Sequence, residues 1–206
     1  MLGAMNRASV VLAGFGAGSI PFSNIASRRT GGVDLREVGS GTVSGTALYR
    51  VAGFTPLAVA GVLDVSKGAV GPLLAGRRRP LLAAVAGGAA VAGHNWSPWL
   101  RGAGGRGIAP AFGSLLATAP TGVPVLAAGL IAGRLARQTG LGSFVALAAL
   151  VPVLARTSGR RGAAAGACVA LPMAAKRLAG NRRVAGPARR RAYVRRLLFD
   201  NDGGVV

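Results

Sequence analysis

The feature that most constrains this chain is the spacing of its charges. Residues 9–27, 80–100, 107–133, 138–155 and 162–175 carry no formal charge, and 51–76 is interrupted only by Asp64 and Lys67. Short arginine clusters separate these runs. A helix crossing a bilayer needs about 20 apolar residues, within a range of about 17–25, and several runs reach that length. In lipid every backbone amide must be satisfied internally, which a helix does within a single segment. The pattern implies an all-α polytopic membrane protein. Composition agrees: 51% of the 206 residues are hydrophobic and 15% charged, against about 25% charged in a soluble domain. Disorder is excluded, because disordered chains are poor in apolar residues.

The 107–133 run contains Ala119-Pro120-Thr121-Gly122, a turn signal that divides it into two short helices. Seven short spans follow, at about 8–27, 51–76, 80–94, 108–118, 123–134, 141–155 and 162–176. The shorter ones require a thinned bilayer or a place inside the bundle, and the abundant glycine and alanine permit close helix approach. The expected organisation is a bundle over 1–178 and a basic cytoplasmic tail over 179–206. The first run is expected to be a retained span, because Gly18-Ser19-Ile20-Pro21-Phe22 continues it without a clean signal-peptide cleavage pattern.

The net charge of +20 comes from 25 basic and 5 acidic residues. On a soluble face such an excess would suggest nucleic acid. Between apolar runs it fits loops beside anionic headgroups, so membrane lipids are the expected partners and nucleic acid is not. With the N-terminus outside, 17 basic residues fall on the inner side and 7 on the outer, in keeping with the positive-inside bias. The outer seven are Arg7, Arg77, Arg78, Arg79, Arg156, Arg160 and Arg161.

The inventory of reactive groups is short. One histidine, His94, and one cysteine, Cys168, leave no His-rich or Cys-based metal site and no disulfide. A carboxylate pair facing a substrate is not available either, since Asp34 and Glu37 sit among arginines. Glycine, hydroxyls and guanidinium remain, and those groups bind phosphate. One glycine-rich loop, Gly39-Ser40-Gly41-Thr42-Val43-Ser44-Gly45-Thr46, leads to Arg50. Its amides, its hydroxyls and a following helix N-terminus suit an anion, and Arg50 can fork onto phosphate oxygens. The plain alternative is a flexible connector. A second loop, Gly102-Ala103-Gly104-Gly105-Arg106-Gly107, precedes a helix but follows no strand, so it is no dinucleotide fingerprint. It remains an anion cradle with Arg106 as its cation. Asp64 and Lys67 share one helix face inside an apolar run, either as a self-neutralising pair or with Lys67 reaching a phosphate. His94 and Asn95 end the third span beside the second loop, next to two interfacial tryptophans, Trp96 and Trp99.

Taken in order, Gly18-Ser19-Ile20-Pro21-Phe22, Arg36 through Gly39-Ser40-Gly41, Thr46, Arg50, Asp64-x-x-Lys67-Gly68, Gly93-His94-Asn95 and Gly104-Gly105-Arg106-Gly107 resemble bacterial acyl-phosphate:glycerol-3-phosphate acyltransferases of the PlsY type. The likeness is continuous from about residue 16 to 115 and thinner beyond, resting there on Arg137, Lys176-Arg177-Leu178 and Gly180. It implies a seven-span enzyme of the bacterial cell membrane with its site facing the cytoplasm. Such an enzyme moves an acyl group from acyl phosphate to glycerol 3-phosphate, giving lysophosphatidic acid without cofactor or metal. Carried onto this sequence, it makes Ser40, Arg50, Lys67 and His94 the catalytic group. Gly39, Gly41, Thr46, Asn95, Gly104, Gly105, Arg106 and Gly107 would bind substrate phosphate. Departures accompany the likeness. Thr42 and Ala47 stand where the family has Asn, Arg106 where it has Lys, and Gly140 where it has Ser. Leu171, Ala174 and Arg182 stand where it has His, Asn and Glu. Two rival readings are a non-catalytic paralogue that binds lipid headgroups or regulates a relative, and a carrier for a small phosphorylated solute.

Overall fold

The computed structural model describes residues 5–181, 190 and 193–196, and every regular element among them is helical. Helix α1 (Arg7–Ser19) is capped by Asn6, whose side chain accepts from the Ser9 amide. The run then breaks at Ile20-Pro21, and α2 (Phe22–Gly31) closes on Gly32 in the left-handed region, φ 65°. Where one span over 8–27 was expected, two helices stand, because proline has no amide to continue the ladder. A short helix that the charge pattern does not announce follows: α3 (Gly45–Ala52), capped by the Ser44 hydroxyl. Helices α4 (Phe54–Ala75) and α5 (Pro80–Asn95) match the expected second and third runs closely. The turn at Pro120 separates α6 (Ile108–Thr118) from α7 (Gly122–Leu135), as anticipated.

Element α8 (Thr139–Ala179) is two helices joined at a sharp turn at Gly159, whose φ of 61° and ψ of −154° are not helical. Arg177 at its C-terminal end donates to the Ser143 hydroxyl at 3.2 Å and to the Gly140 carbonyl at 2.7 Å. A straight helix would hold residues 34 apart in sequence about 51 Å from each other. The two halves therefore lie side by side, as the separate runs 141–155 and 162–176 suggested. A Cβ built on Gly166 would sit 3.4 Å from the Val151 Cα, in ordinary packing distance.

Helices Arg7–Gly31, Phe54–Ala75 and Thr139–Ala179 are long and apolar enough to cross a membrane, with the break at Ile20-Pro21 inside the first; Ile108–Thr118 and Gly122–Leu135 are shorter and apolar. The bundle is closed by small residues. A Cβ on Gly18 would strike the Ala90 backbone, one on Gly68 the Pro110 carbonyl, and one on Gly113 the Val65 carbonyl. Between α6, α7 and the two halves of α8 lies a core built from Leu115, Leu126, Leu150, Leu154, Val169 and Met173.

Both chain directions put the 32–44 and 96–107 loops at one end of the bundle, with Arg7, the 76–79 turn and Gly159 at the other. We expect Gly68→Ala to lower the thermal midpoint, by overpacking of about 1–3 kcal/mol. Gly16→Ala, where nothing lies within 4 Å of the new Cβ, should be neutral or stabilising. Equal midpoints for the two variants in detergent-solubilised protein would contradict this close-packed interface.

Candidate active site

The two glycine loops meet. The Val43 amide donates to the Gly104 carbonyl at 3.2 Å, a direct backbone bond between them. Asn181, just past the end of α8, then clips both. Its Nδ2 donates to the carbonyls of Gly41 at 3.0 Å and Gly104 at 2.9 Å, and its Oδ1 accepts from the Gly104 amide at 3.2 Å. The Gly105 amide donates to the His94 carbonyl at 3.2 Å, which ties the second loop to α5. Neither Gly104 nor Gly105 tolerates a side chain here. A Cβ on Gly104 would collide with the His94 and Asn95 carbonyls, and one on Gly105 with the His94 imidazole.

Below the joined loops opens a cavity of about 770 Å³, within the usual range for ligand pockets. Its polar lining includes Ser40, Thr42, Ser44, Thr46, His94, Arg106, Arg134, Thr139 and Ser143, and its apolar lining Leu57, Ile108, Ala109 and Leu130. Ser40 donates to the Thr42 hydroxyl at 3.0 Å, so the replacement of Asn by Thr42 keeps a polar atom in the wall. Arg106 is buried and donates from Nη1 to the Lys176 carbonyl at 3.1 Å, which anchors its guanidinium to α8.

Asp64 bridges this cavity and a smaller cleft lined by Lys67, His94, Gly104 and Gly105. Lys67 Nζ lies 2.7 Å from Asp64 Oδ1 and donates to the Ile20 carbonyl at 2.6 Å, while Ser23 donates to Asp64 Oδ2 at 3.0 Å. The ammonium also stands 5.6 Å from the Phe22 ring. The break at Ile20-Pro21 thus serves the buried pair. His94 Nδ1 is 3.9 Å from Asp64 Oδ1.

The expected site residues separate into two sets. Ser40, Thr46, His94 and Arg106 line the large cavity, and Lys67, Gly104 and Gly105 line the cleft beside it. Gly39 and Gly41 shape the first loop with left-handed φ of 54° and 71°. Gly107, φ 79°, starts α6 and packs against Asn95 and Val91. Asn95 is fully buried behind the loop and donates to the Pro172 carbonyl at 2.8 Å, outside both cavities. Arg50 is exposed on α3 and lines neither. Of the C-terminal positions, Leu171 is exposed, Ala174 is half-buried, and Arg182 lies outside the described residues. Sequence reading gave no site role to Asn181, Arg134, Thr139, Ser143 or the buried Arg177, the last of which entered only with the Lys176-Arg177-Leu178 likeness. A lone Asn after Gly180 carries no sequence signal, and Arg177 reads as one more tail cation until the turn at Gly159 is known.

With the geometry in view, comparison with known proteins decides the family. The sequence profile of the glycerol-3-phosphate acyltransferase family matches residues 8–184. A glycerol-3-phosphate acyltransferase of Rhodospirillum rubrum is 41% identical over 155 residues, covering 70% of this chain and 71% of that protein. The chain belongs to the glycerol-3-phosphate acyltransferase family. A second relative of the same description, from Myxococcus xanthus, is 40% identical over 156 residues, covering 73% of this chain and 80% of its own. The crystal structure of PlsY (YgiH), an integral membrane glycerol 3-phosphate acyltransferase in its glycerol 3-phosphate form, has the same fold. The TM-score is 0.73 at 24% identity, over 82% of this chain and 87% of that one.

In the loop after α2, Asp34 accepts from Arg36 Nη2 at 2.7 Å and lies 3.3 Å from Arg28. The side-chain hydrogen bond from Arg36 chiefly holds its carboxyl at about 2, below the usual 3.8, against the opposing effect of burial. A depressed carboxylate pKa contributes stability above the unfolded value that is lost as pH falls through the folded one. The loss of stability in Asp34→Asn should therefore be full at about pH 5 and shrink towards about pH 2. A gap in thermal midpoint that stays constant over that range would contradict the ion-pair account. For the clip, Asn181→Ala should raise KM for a phosphorylated substrate with a smaller change in kcat, and Asn181→Gln should not restore it. An unchanged KM in a folded Asn181→Ala protein would remove Asn181 from the site.

Proposed function

We propose that this chain transfers an acyl group from acyl phosphate to a hydroxyl of glycerol 3-phosphate, releasing inorganic phosphate and forming lysophosphatidic acid. The observation that carries the reading is the mixed lining of the large cavity: hydroxyls of Ser40, Thr42, Ser44 and Thr46 and the arginines Arg106 and Arg134, together with Leu57, Ile108, Ala109 and Leu130. A phosphate with an apolar chain needs both kinds of lining, and a second phosphorylated substrate needs the remaining cations. The family match runs through residue 184, beyond α8, and favours the enzyme over a non-catalytic paralogue or a carrier.

In this reading the acceptor hydroxyl oxygen attacks the acyl carbonyl carbon, the bond from that carbon to the phosphate oxygen breaks, and phosphate departs with the electron pair. The hydroxyl proton passes to a phosphate oxygen, so no side chain has to act as base. Arg106, fixed by its bond to the Lys176 carbonyl, offers a positioned charge to phosphate oxygens. Ser40 and Thr46 offer hydroxyl donors. Preorganised donors of this kind lower the barrier by stabilising charge that develops in the transition state. Asp64 keeps Lys67 neutralised as a pair and orients it towards the cleft.

Seven crossings fit the reading, with α1 and α2 together making the first and the two halves of α8 the last two. The loop end would then face the cytoplasm of a bacterial cell, where water-soluble glycerol 3-phosphate is available. The bundle over 1–178 would hold the helices, and Asn181 makes the start of the 179–206 tail part of the site. The test is transfer from palmitoyl phosphate to labelled glycerol 3-phosphate by purified protein. Product is expected, with Arg106→Ala reducing kcat/KM by about 10²-fold and Arg106→Lys retaining most of it. Folded protein that gives no product, or an Arg106→Ala variant as active as the parent, would overturn the proposal.

A further inference from the structure

The acyl-transfer reading leaves four arginines unexplained. At the end of the bundle opposite the loops, a cavity of about 800 Å³ is lined by Arg7, Arg79, Arg160 and Arg161 together with Pro80, Leu81, Leu82, Val85 and Ala164. Fourteen residues of α5 separate Pro80 in this wall from His94 in the other, about 21 Å along the helix axis. The two cavities share no lining residue.

Three elements build the notch. Arg7 opens α1, Arg79 and Pro80 open α5, and Arg160 and Arg161 follow the turn at Gly159 in α8. Arg79 is held by its bond from Nη1 to the Met5 carbonyl at 3.1 Å. Among the described residues no acid forms an ion pair with any of the four. The three described acids, Asp34, Glu37 and Asp64, belong to the loop end or to the buried pair. Four like charges around one hollow repel each other, and nothing within the described chain offsets them. Beside them Leu81 and Val85 are 60% and 48% exposed, on the flank of α5.

We propose that this notch binds an anionic phospholipid of the surrounding bilayer, with its phosphate among the arginines and its chains along Leu81 and Val85. The chemistry calls for both parts: guanidinium groups that fork onto phosphate oxygens, and an apolar flank running from them into the bilayer. It also accounts for a cationic cluster on the side where the positive-inside bias calls for fewer bases. The site is separate from acyl transfer, and its test does not depend on turnover.

The experiment measures binding of a fluorescent phosphatidylglycerol to the full chain in nanodiscs of phosphatidylcholine, together with the thermal midpoint. Wild-type protein should bind the anionic lipid in preference to the zwitterionic one and gain thermal stability from it. The double variant Arg160→Gln with Arg161→Gln should weaken binding by about 10-fold or more, through loss of charge-assisted hydrogen bonds to the phosphate. The control Arg77→Gln with Arg78→Gln, on the same turn but outside the lining, should stay within about twofold. Equal binding of both lipids, or an equal loss in the control pair, would reduce the effect to general surface charge and overturn the site. Full competition by millimolar inorganic phosphate would show a free-anion site and overturn the assignment to lipid. If the double variant fails to fold, Arg161→Lys, which keeps charge but loses the fork, provides the second reading. It should bind measurably more weakly than wild type, and unchanged binding would count against the proposal.

Discussion

Contact between helix backbones, made possible by glycine, is the constraint on which the rest of the molecule depends. In lipid the tails are as apolar as the side chains, so helices gain little from burying leucine and associate through close packing. Here that closeness is extreme at α5. Gly93 faces the Phe15 carbonyl, Gly18 the Ala90 backbone, Gly88 the Cys168 carbonyl and Gly87 the Ser114 side chain. Two neighbours, α1 and α8, thus approach α5 to backbone distance while α6 meets it through the Ser114 side chain, and α5 ends in His94 and Asn95. The position of the histidine and of the loop bonded to its carbonyl follows from that packing.

The polar end of the bundle then assembles by satisfying groups that could not be left alone in an apolar interior. Asp64 and Lys67 are almost wholly buried and neutralise each other, with Ile20 and Ser23 completing their hydrogen bonds. Arg177, 3% exposed, bonds across to the other half of α8 at Gly140 and Ser143. Asn181 supplies the donors and the acceptor that hold one glycine loop on the other. The cavity is what remains between the joined loops, α4, α6, α7 and the start of α8, which together give it both polar and apolar lining residues.

Much of this was legible from charge spacing and turn residues. The runs at 51–76, 80–94, 108–118 and 123–134 correspond to α4 to α7, because an apolar run bounded by arginines or by Pro-Thr-Gly has few other options. The first run stands as one candidate span, Arg7–Gly31, but Ile20-Pro21 breaks its helix in two without any charge to mark the break. Helix α3, with eight residues, is too short for its period to stand out, and only the Ser44 cap signals it. At the proposed site the sequence pointed to both glycine loops, His94 and Arg106, and the structure joins the loops and places His94 and Arg106 in the cavity lining. Arg50 was credited by its place after the loop, yet it sits one turn beyond Thr46 on α3, exposed and outside the cavity. Asn95 was credited by nearness to His94, but successive helix residues point in different directions, and its amide serves α8. Asn181 and Arg177 depend on the turn at Gly159, a tertiary fact that local sequence does not announce.

The central claim is that the two glycine loops hold one substrate site rather than two independent features. A double-mutant cycle on acyl transfer, with Thr46→Ala at the end of the first loop and Arg106→Ala in the second, tests it most directly. Residues acting on one bound phosphate should be coupled, by about 0.5–3 kcal/mol in the cycle. The double variant would then lose clearly less than the product of the two single losses. Strict multiplication of those losses would contradict the account, because it would mean that the loops act on separate events.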